Sequence, residues 1–356
     1  MSILSLIPLI SLPGWGSFLL TALTIAGIYS LLALGLNIHY GYTGLINFGH
    51  VAFFAAGAYA AAILTVPPPT QTVGAEYLVG LNLPMPIGLP ISLIGAAITG
   101  GLLSACIGIT SARLGSHYLA IATFALAGIF GSVLENEAWL TNGSFGLNNV
   151  PRPGRAAMGA SEWELLYFIF VVIVLVGVMT VLTRLTHSPF GRLLKGVREN
   201  EDAAKMLGKN STRVKLTSFT IGGAVAGLAG GLYAHYIGSV VVQQFVPSVT
   251  FTIWAALLLG GVASNSGAVV GAFLLIGFRE STRFLSSIYD GLLTALPEVI
   301  ATGLRVLIRP FPGHPSFVPS LRFVVIGLLI VLVIRYRPEG VFGDSREVEA
   351  IGEEEQ

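Results

Sequence analysis

Residues 16–38 read GSFLLTALTIAGIYSLLALGLNI, with no charged side chain anywhere in the stretch. A helix needs about 20 apolar residues to cross a hydrocarbon core, so this stretch reads as a membrane span. The rest of the chain agrees with it. Of 356 residues, 54% are hydrophobic and only 10% charged, against about 25% charged in an ordinary soluble domain. Two or three soluble domains of this length would need far more polar surface, so a polytopic membrane protein is expected. The first charged residue is Glu76 and the first basic one Arg113. With no basic region ahead of an over-long apolar run, a cleaved signal peptide is not expected. A single cysteine, Cys106, excludes an internal disulfide framework and a cysteine-rich metal site.

Further spans follow at Leu45–Val66, Ile87–Ala112, Tyr118–Leu134, Leu165–Leu185, Leu216–Ile237, Val249–Ala263, Gly267–Phe278 and Phe323–Ile334. All should be helices, because backbone in hydrocarbon must satisfy its own hydrogen bonds. The fold class expected is an all-α transmembrane bundle of about 7–9 crossings. Val249–Ala263 and Gly267–Phe278 are short and glycine-flanked; they read either as half-helices re-entering from outside or as short tilted crossings. Eight of the nineteen lysines and arginines lie between Arg184 and Lys215, which makes that segment cytoplasmic. Counting outward places the N-terminus outside and the C-terminus inside. Arg279–Arg309 would then lie outside, and its helically spaced Leu285, Ile288, Leu292, Leu296 and Val299 suggest an amphipathic helix in the outer interface. One transmembrane domain over 1–342 is expected, with an acidic cytoplasmic tail at 343–356.

Small residues recur every fourth position at Gly222, Ala226, Gly230 and Ala234, with Gly223, Gly227 and Gly231 on the adjacent ridge. That spacing lets helix backbones approach closely in lipid. Between two spans, SPFGRLLKGVRENEDAAKMLGKNSTRVKLTSF (188–219) holds a mostly polar helix over Arg192–Leu207. Leu194, Val197, Ala204 and Leu207 form its narrow apolar stripe, and Gly208 is its stop. It is either a solvated connector or a helix that docks on a cytosolic partner. The loop EAWLTNGSFGLNNVPRP (137–153) is rich in turn formers. Glu135, Glu137, Arg152 and Arg155 near it are either a polar collar around the bundle's mouth or solvated charges. GYTG (41–44) reads as the turn between the first two helices, its glycines supplying permissive backbone. Asn47 and His50, three residues apart, should share one face at the start of the second helix. They either hydrogen-bond within the bundle or line the substrate path. No histidine or carboxylate spacing completes a metal site, and no nucleophile-and-base pattern occurs.

The order GYTGLINFGHVAFFAAGAYAAAIL, TNGSFGL, GRLLKGVRENEDAAKMLG, GLAGGLYA and the closing RYRPEGVF resembles the permeases of ABC importers for branched-chain amino acids. Among that pair of related permeases it is most similar to the M-type subunit. The match covers Tyr29 to Phe342; the segment between Ser287 and Leu321 is longer than the family's usual one. The resemblance implies a non-enzymatic transport subunit, paired with a second homologous permease in the membrane lipid and served by an extracytoplasmic binding protein. Two cytosolic ATPases would bind ATP and Mg, since this chain has no GxxxxGK[ST] loop and no cofactor of its own is implied. No nucleic-acid partner is expected. Within segment 187–213, Gly191, Arg192, Arg198, Glu199, Asn200, Glu201, Ala203, Ala204 and Gly208 fall on the ATPase-coupling motif. Asn47, His50, Thr141, Asn142 and Gly143 are the implied substrate-path positions. A urea or short-amide permease of the same superfamily is less similar. An ion-coupled secondary transporter would need acidic residues within the spans, whereas the carboxylates here read as falling in loops, at helix ends or in the tail.

Overall fold

The computed structural model describes residues 14–67, 80–111 and 116–295, with 327 and 335 as isolated positions. The expected span Phe323–Ile334, the remainder of the Arg279–Arg309 segment beyond 295 and the acidic tail lie outside the described residues. The architecture is an all-α polytopic membrane bundle. Its helices are α1 (Gly14–Asn37), α2 (His50–Thr65), α3 (Met85–Ser111), α4 (Ser116–Asn136), the short α5 (Ala138–Thr141) and α6 (Ala160–His187). They are followed by α7 (Pro189–Glu199), α8 (Glu201–Met206), α9 (Ser211–Ile237), α10 (Pro247–Gly260) and α11 (Asn265–Ala295). Six stretches among the described residues are long and apolar enough to cross a membrane, and α2 is a shorter apolar helix.

At the centre stands α9, packed on α1, α2 and α3. The glycine ridges are what bring it there. A Cβ built on Gly227 would fall 2.2 Å from the Ala96 carbonyl oxygen, and one on Gly230 2.1 Å from that of Phe54. No side chain fits, so the backbones touch. The outer helices show the opposite pattern. Along α3, Ile87, Ile91, Ile94, Ile98 and Leu102 form an exposed apolar stripe, and Ile169, Ile173 and Val176 do the same on α6. The segment 187–213 and the residues around it close one end of the bundle, called here the basic end. The opposite end carries a two-stranded antiparallel pair, β1 (Leu147–Asn148) with β2 (Ser239–Val240).

Three boundaries differ from the sequence expectation. The second helix begins at His50 rather than Leu45, because Asn47 folds back to accept the Gly49 N–H (2.9 Å) and turns the chain before the helix starts. Asn47 and His50 therefore do not share a helix face. The connector helix is broken at Asn200, which is extended and accepts the Ala203 N–H at 2.8 Å, so that a side-chain cap ends one helix and starts another. Finally, Gly267–Phe278 is not a short element. It belongs to α11, which continues without a breaker from Asn265 to Ala295 and absorbs the first half of the amphipathic segment expected to lie in the outer interface. Arg279 and Glu280 are carried inside it as a pair, 3.1 Å apart, with the guanidinium 5.0 Å from the Tyr29 ring centre.

Candidate functional site

The basic end is built on the junction of α1 and α2. α1 tightens into a π-turn at Ile38–Tyr42, and Gly44 takes φ +72°, where a side chain would be strained. GYTG is thus the turn the sequence indicates. Arg198 from α7 lies over it and donates to the Gly41 carbonyl, so the connector is fastened to that turn. Leu194, Val197, Gly191 and Ala204 are buried beneath α7 and α8. A Cβ on Gly191 would meet the Thr186 carbonyl at 1.9 Å, which fixes the sharp corner out of α6. Gly208, at φ +74°, ends α8. Glu201 is tied to α9, at 2.5 Å from Lys215 and 2.9 Å from the Ser211 hydroxyl. Partial burial opposes its ionisation, but the hydrogen bonds from Lys215 and Ser211 hold its carboxyl below the usual glutamate value.

What the connector leaves outward is equally specific. Arg192, Glu199, Asn200 and Ala203 are exposed. Met206 is 88% and Leu207 78% exposed. Leu207, expected on the apolar stripe, instead stands out beside Met206, because α8 ends at Met206 and Leu207 is its C-cap, past the last residue of the helix. A cleft of about 360 Å³ separates α7 and α8 from the turn, lined by Thr43, Gly44, Arg198, Asn200, Glu201 and Lys215.

Above the turn lies a buried polar network. Asn47 donates to His39 Nδ1 (3.1 Å), and His39 Nε2–H donates to the Phe219 carbonyl (3.0 Å). The Trp254 indole donates to the Asn47 carbonyl (3.0 Å). His50 Nε2–H donates to the Leu32 carbonyl (3.1 Å). A second branch runs through Asn37, which donates to Asn265 (3.2 Å) and accepts the Ala263 N–H (2.9 Å). Every one of these side chains is buried. Asn47 and His50 thus make hydrogen bonds within the bundle, Asn47 from the turn before α2 and His50 from α2 to α1, and Asn37, His39 and Asn265 are members that sequence reading missed. The available signal was their type: polar side chains inside or beside apolar runs.

At the opposite end, Thr141 donates to the Leu134 carbonyl (2.6 Å) and accepts the Gly143 N–H (3.2 Å), while Asn142, at φ +62°, donates to the Gly146 carbonyl (3.0 Å). TNGSFGL is therefore an ordered loop far along the bundle from Asn47 and His50, and the structure does not bring the two sets together. The loop is stapled to the end of α9. His235 Nδ1–H donates to the Pro151 carbonyl (2.9 Å), and its Nε2 accepts from Ser92 (2.8 Å). Arg152 donates to the Ile237 carbonyl at the C-terminus of α9, where a cation suits the helix dipole. Arg155 lies 5.1 Å over Trp163, Trp139 donates to Glu137 (2.6 Å) and Ser144 to Glu135 (3.1 Å). These four charges engage local partners, not one another across a mouth. Among the described residues, no group of three His, Cys, Asp or Glu could hold a metal ion.

A multi-pass bundle welded by small residues, with a docked helical connector at one end, defines a membrane transport scaffold. The chain belongs to the branched-chain amino acid transport system permease family, whose profile matches residues 18–334. It is 31% identical over 313 residues to the high-affinity branched-chain amino acid transport system permease protein LivM of Escherichia coli K12, covering 81% of this chain and 70% of that one. It is 25% identical to the probable LivM permease of Methanocaldococcus jannaschii, over 90% and 91% of the two chains. To LivH of Escherichia coli K12 it is 26% identical over 80% and 89%. Within the family it is of the M type. No solved structure matches it.

Proposed function

We propose that this chain is the M-type permease of an ATP-driven importer carrying leucine, isoleucine, valine or similar small amino acids across the cell membrane. The basic end is cytoplasmic, the N-terminus is outside and the C-terminus inside. A second homologous permease pairs with it, two cytosolic ATPases bind ATP and Mg and hydrolyse the nucleotide, and an extracytoplasmic binding protein delivers the substrate. This chain carries no catalysis.

The observation that carries the reading is the connector. It buries Leu194, Val197 and Ala204 and locks Arg198 and Glu201 inward, yet leaves Met206, Leu207 and Glu199 exposed at the basic end. Apolar side chains held so far out on a firmly anchored helix suit a groove on a partner. The names of the relatives favour branched-chain amino acids over urea or short amides. The ion-coupled alternative has one new observation, the buried Glu280, but its carboxylate is neutralised by Arg279.

In alternating access, closure of the ATPases on ATP moves α7 and α8. Arg198 passes that movement to the α1–α2 turn, and Glu201 passes it to Lys215 at the start of α9. Asn47 and His50 keep the start of α2 in register beside the path, and the loop at Thr141, Asn142 and Gly143, clamped to the far end of α9, receives the binding protein. The test is Glu199→Arg with Leu207→Glu, both exposed and outside the Glu201–Lys215 pair. The doubly substituted permease should insert in the membrane but lose ATPase co-purification and leucine uptake. Normal co-purification with normal uptake would overturn the coupling assignment.

A further inference from the structure

Two helices start inside the bundle instead of at its ends, and only one of those starts is sealed. At α2, Asn47, His50 and Val51 are all buried. At α10 the chain comes back from the end of α9 through β2, a 3₁₀ turn at Val242–Gln244, Phe245 and the extended Val246 before Pro247. Its neighbours give the depth. Phe245 packs on Phe54 (5.1 Å between ring centres) and on Tyr59 and Tyr233 (6.2 Å each), and Thr250 accepts the Val51 N–H at 3.1 Å. Phe54 touches Gly230, one helical turn from Gly227, which lies against Gly100. At 1.5 Å per residue Gly100 is about 22 Å from one end of α3 and about 16 Å from the other. Residues 242–250 therefore lie in the middle of the bundle's height, where the backbone leaves a 3₁₀ turn, runs non-helical through Phe245 and Val246, and enters the first turn of α10 at Pro247.

That stretch is open to the outside. Gln243, Pro247 and Ser248 are exposed, with Val246 at 42% and Phe251 at 50%. Val246, at the N-cap, has no side chain able to satisfy the first amides of α10. Further on, Ile253 to Leu257 are buried on every side. Hydrocarbon cannot satisfy irregular backbone; at membrane depth such backbone is tolerated only when covered by protein or lining a water-filled cavity. The outward stripes of α3 and α6 are regular helix with purely apolar side chains, as lipid requires. The patch at 243–251 differs on both counts, with a helix break at Phe245 and Val246 and the polar side chains of Gln243 and Ser248 exposed.

From this contrast we infer that Gln243, Val246, Pro247, Ser248 and Phe251 form this chain's wall of the aqueous translocation path. The inference rests on the proposed importer function and gives that function its pathway residues. The amide of Gln243 and the hydroxyl of Ser248 offer hydrogen bonds to the polar part of a zwitterion. Val246 and Phe251 flank them with surface suited to a branched aliphatic side chain. Neither polar residue belongs to the motifs that carry the family likeness.

Cysteine accessibility in the reconstituted complex tests it, in a Cys106→Ser background that removes the native thiol. Ser248→Cys and Gln243→Cys are compared with Ile173→Cys, midway along α6 on its exposed stripe. The probes are a membrane-impermeant methanethiosulfonate cation and a lipophilic maleimide, with leucine uptake measured before and after. Reaction needs a thiolate, hence water, so the two path positions should react with the cation about tenfold or more faster than Ile173→Cys. Modified Ser248→Cys should lose uptake. If Ser248→Cys and Gln243→Cys react only with the lipophilic probe, the patch faces lipid and the inference falls. Reaction with neither means that protein covers it, and the inference falls equally. Aqueous reactivity without any leucine uptake before labelling would leave the wall standing and sink the proposed substrate class instead.

Discussion

α6 and α9 are nearly equal in length, 28 and 27 residues, and opposite in construction. α6 is the most apolar of the spans, yet only 22% of its most apolar window is buried; α9 is the least apolar, and 61% is buried. In a soluble core the order would be reversed. In a membrane, hydrocarbon is on the outside, so strong hydropathy marks the residues that meet it. The interior is chosen by size, since small side chains let backbones close on one another and van der Waals packing supplies the association. What looks like a weak span in the sequence is thus the structural axis of the bundle.

The sharpest way to break the comparison is to put the same side chain on each helix. Gly227→Leu on α9 must displace the Ala96 carbonyl, whereas a Cβ on Gly177 of α6 meets nothing within 4 Å. Overpacking costs about 1–3 kcal/mol, and more where backbone is the obstacle. Gly227→Leu should therefore abolish a monodisperse, transport-competent complex in detergent. Gly177→Leu should change the melting temperature and uptake hardly at all. Equal behaviour of the two would mean that the contrast has no energetic content.

Asn47→Leu is the next largest effect. It leaves His39 Nδ1 and the Gly49 N–H without the partners they have now, at about 1–3 kcal/mol for each group. Uptake should fall severalfold while membrane insertion, read by fractionation, persists. Unchanged transport would show that the network beside α9 has no functional weight.

The smallest effect belongs to Glu201→Gln, at the foot of α9. An ion pair at the bundle's edge, with Glu201 still partly exposed, is worth about 1 kcal/mol. Because the Glu201 carboxyl sits below its ordinary value, the pair is intact at neutral pH. Its contribution begins to fade below the ordinary glutamate range and is gone once the pH has dropped through the depressed value. ATPase stimulation by the binding protein should thus be modestly lower in Glu201→Gln at neutral pH, and wild type and variant should converge in acid. A difference that grows on acidification would show that another group holds the foot of α9.

Most of the spans were legible because hydropathy is a bulk property of some twenty residues. The misreadings all came from single side chains acting on backbone. Asn47 and Asn200 cap or turn the chain where periodicity alone continues it. Arg279 and Glu280 look like a helix end, but by pairing with each other they let α11 continue through them. The buried positions of the connector, Gly191, Leu194, Val197 and Ala204, were legible because they sit in one contiguous stretch, 191–208. The exposed start of α10 was not, because exposure at membrane depth is decided by how α2, α9 and α10 stack. No local pattern encodes that.

The Arg279–Glu280 pair also bears on how the protein is made. An arginine delivered alone to the centre of a span costs about 2.5–3.5 kcal/mol in translocon-based measurements. Here Glu280, the next residue of α11, holds a carboxylate 3.1 Å away, and docking on α1 adds the Tyr29 ring at 5.0 Å. Tyr29 lies on α1, and Arg279 comes 250 residues after it in the chain. α11 thus carries its counter-charge with it and finds a second partner for the guanidinium on α1. Order of synthesis becomes order of assembly, in which α1 waits in the bilayer with the ring on which α11 docks.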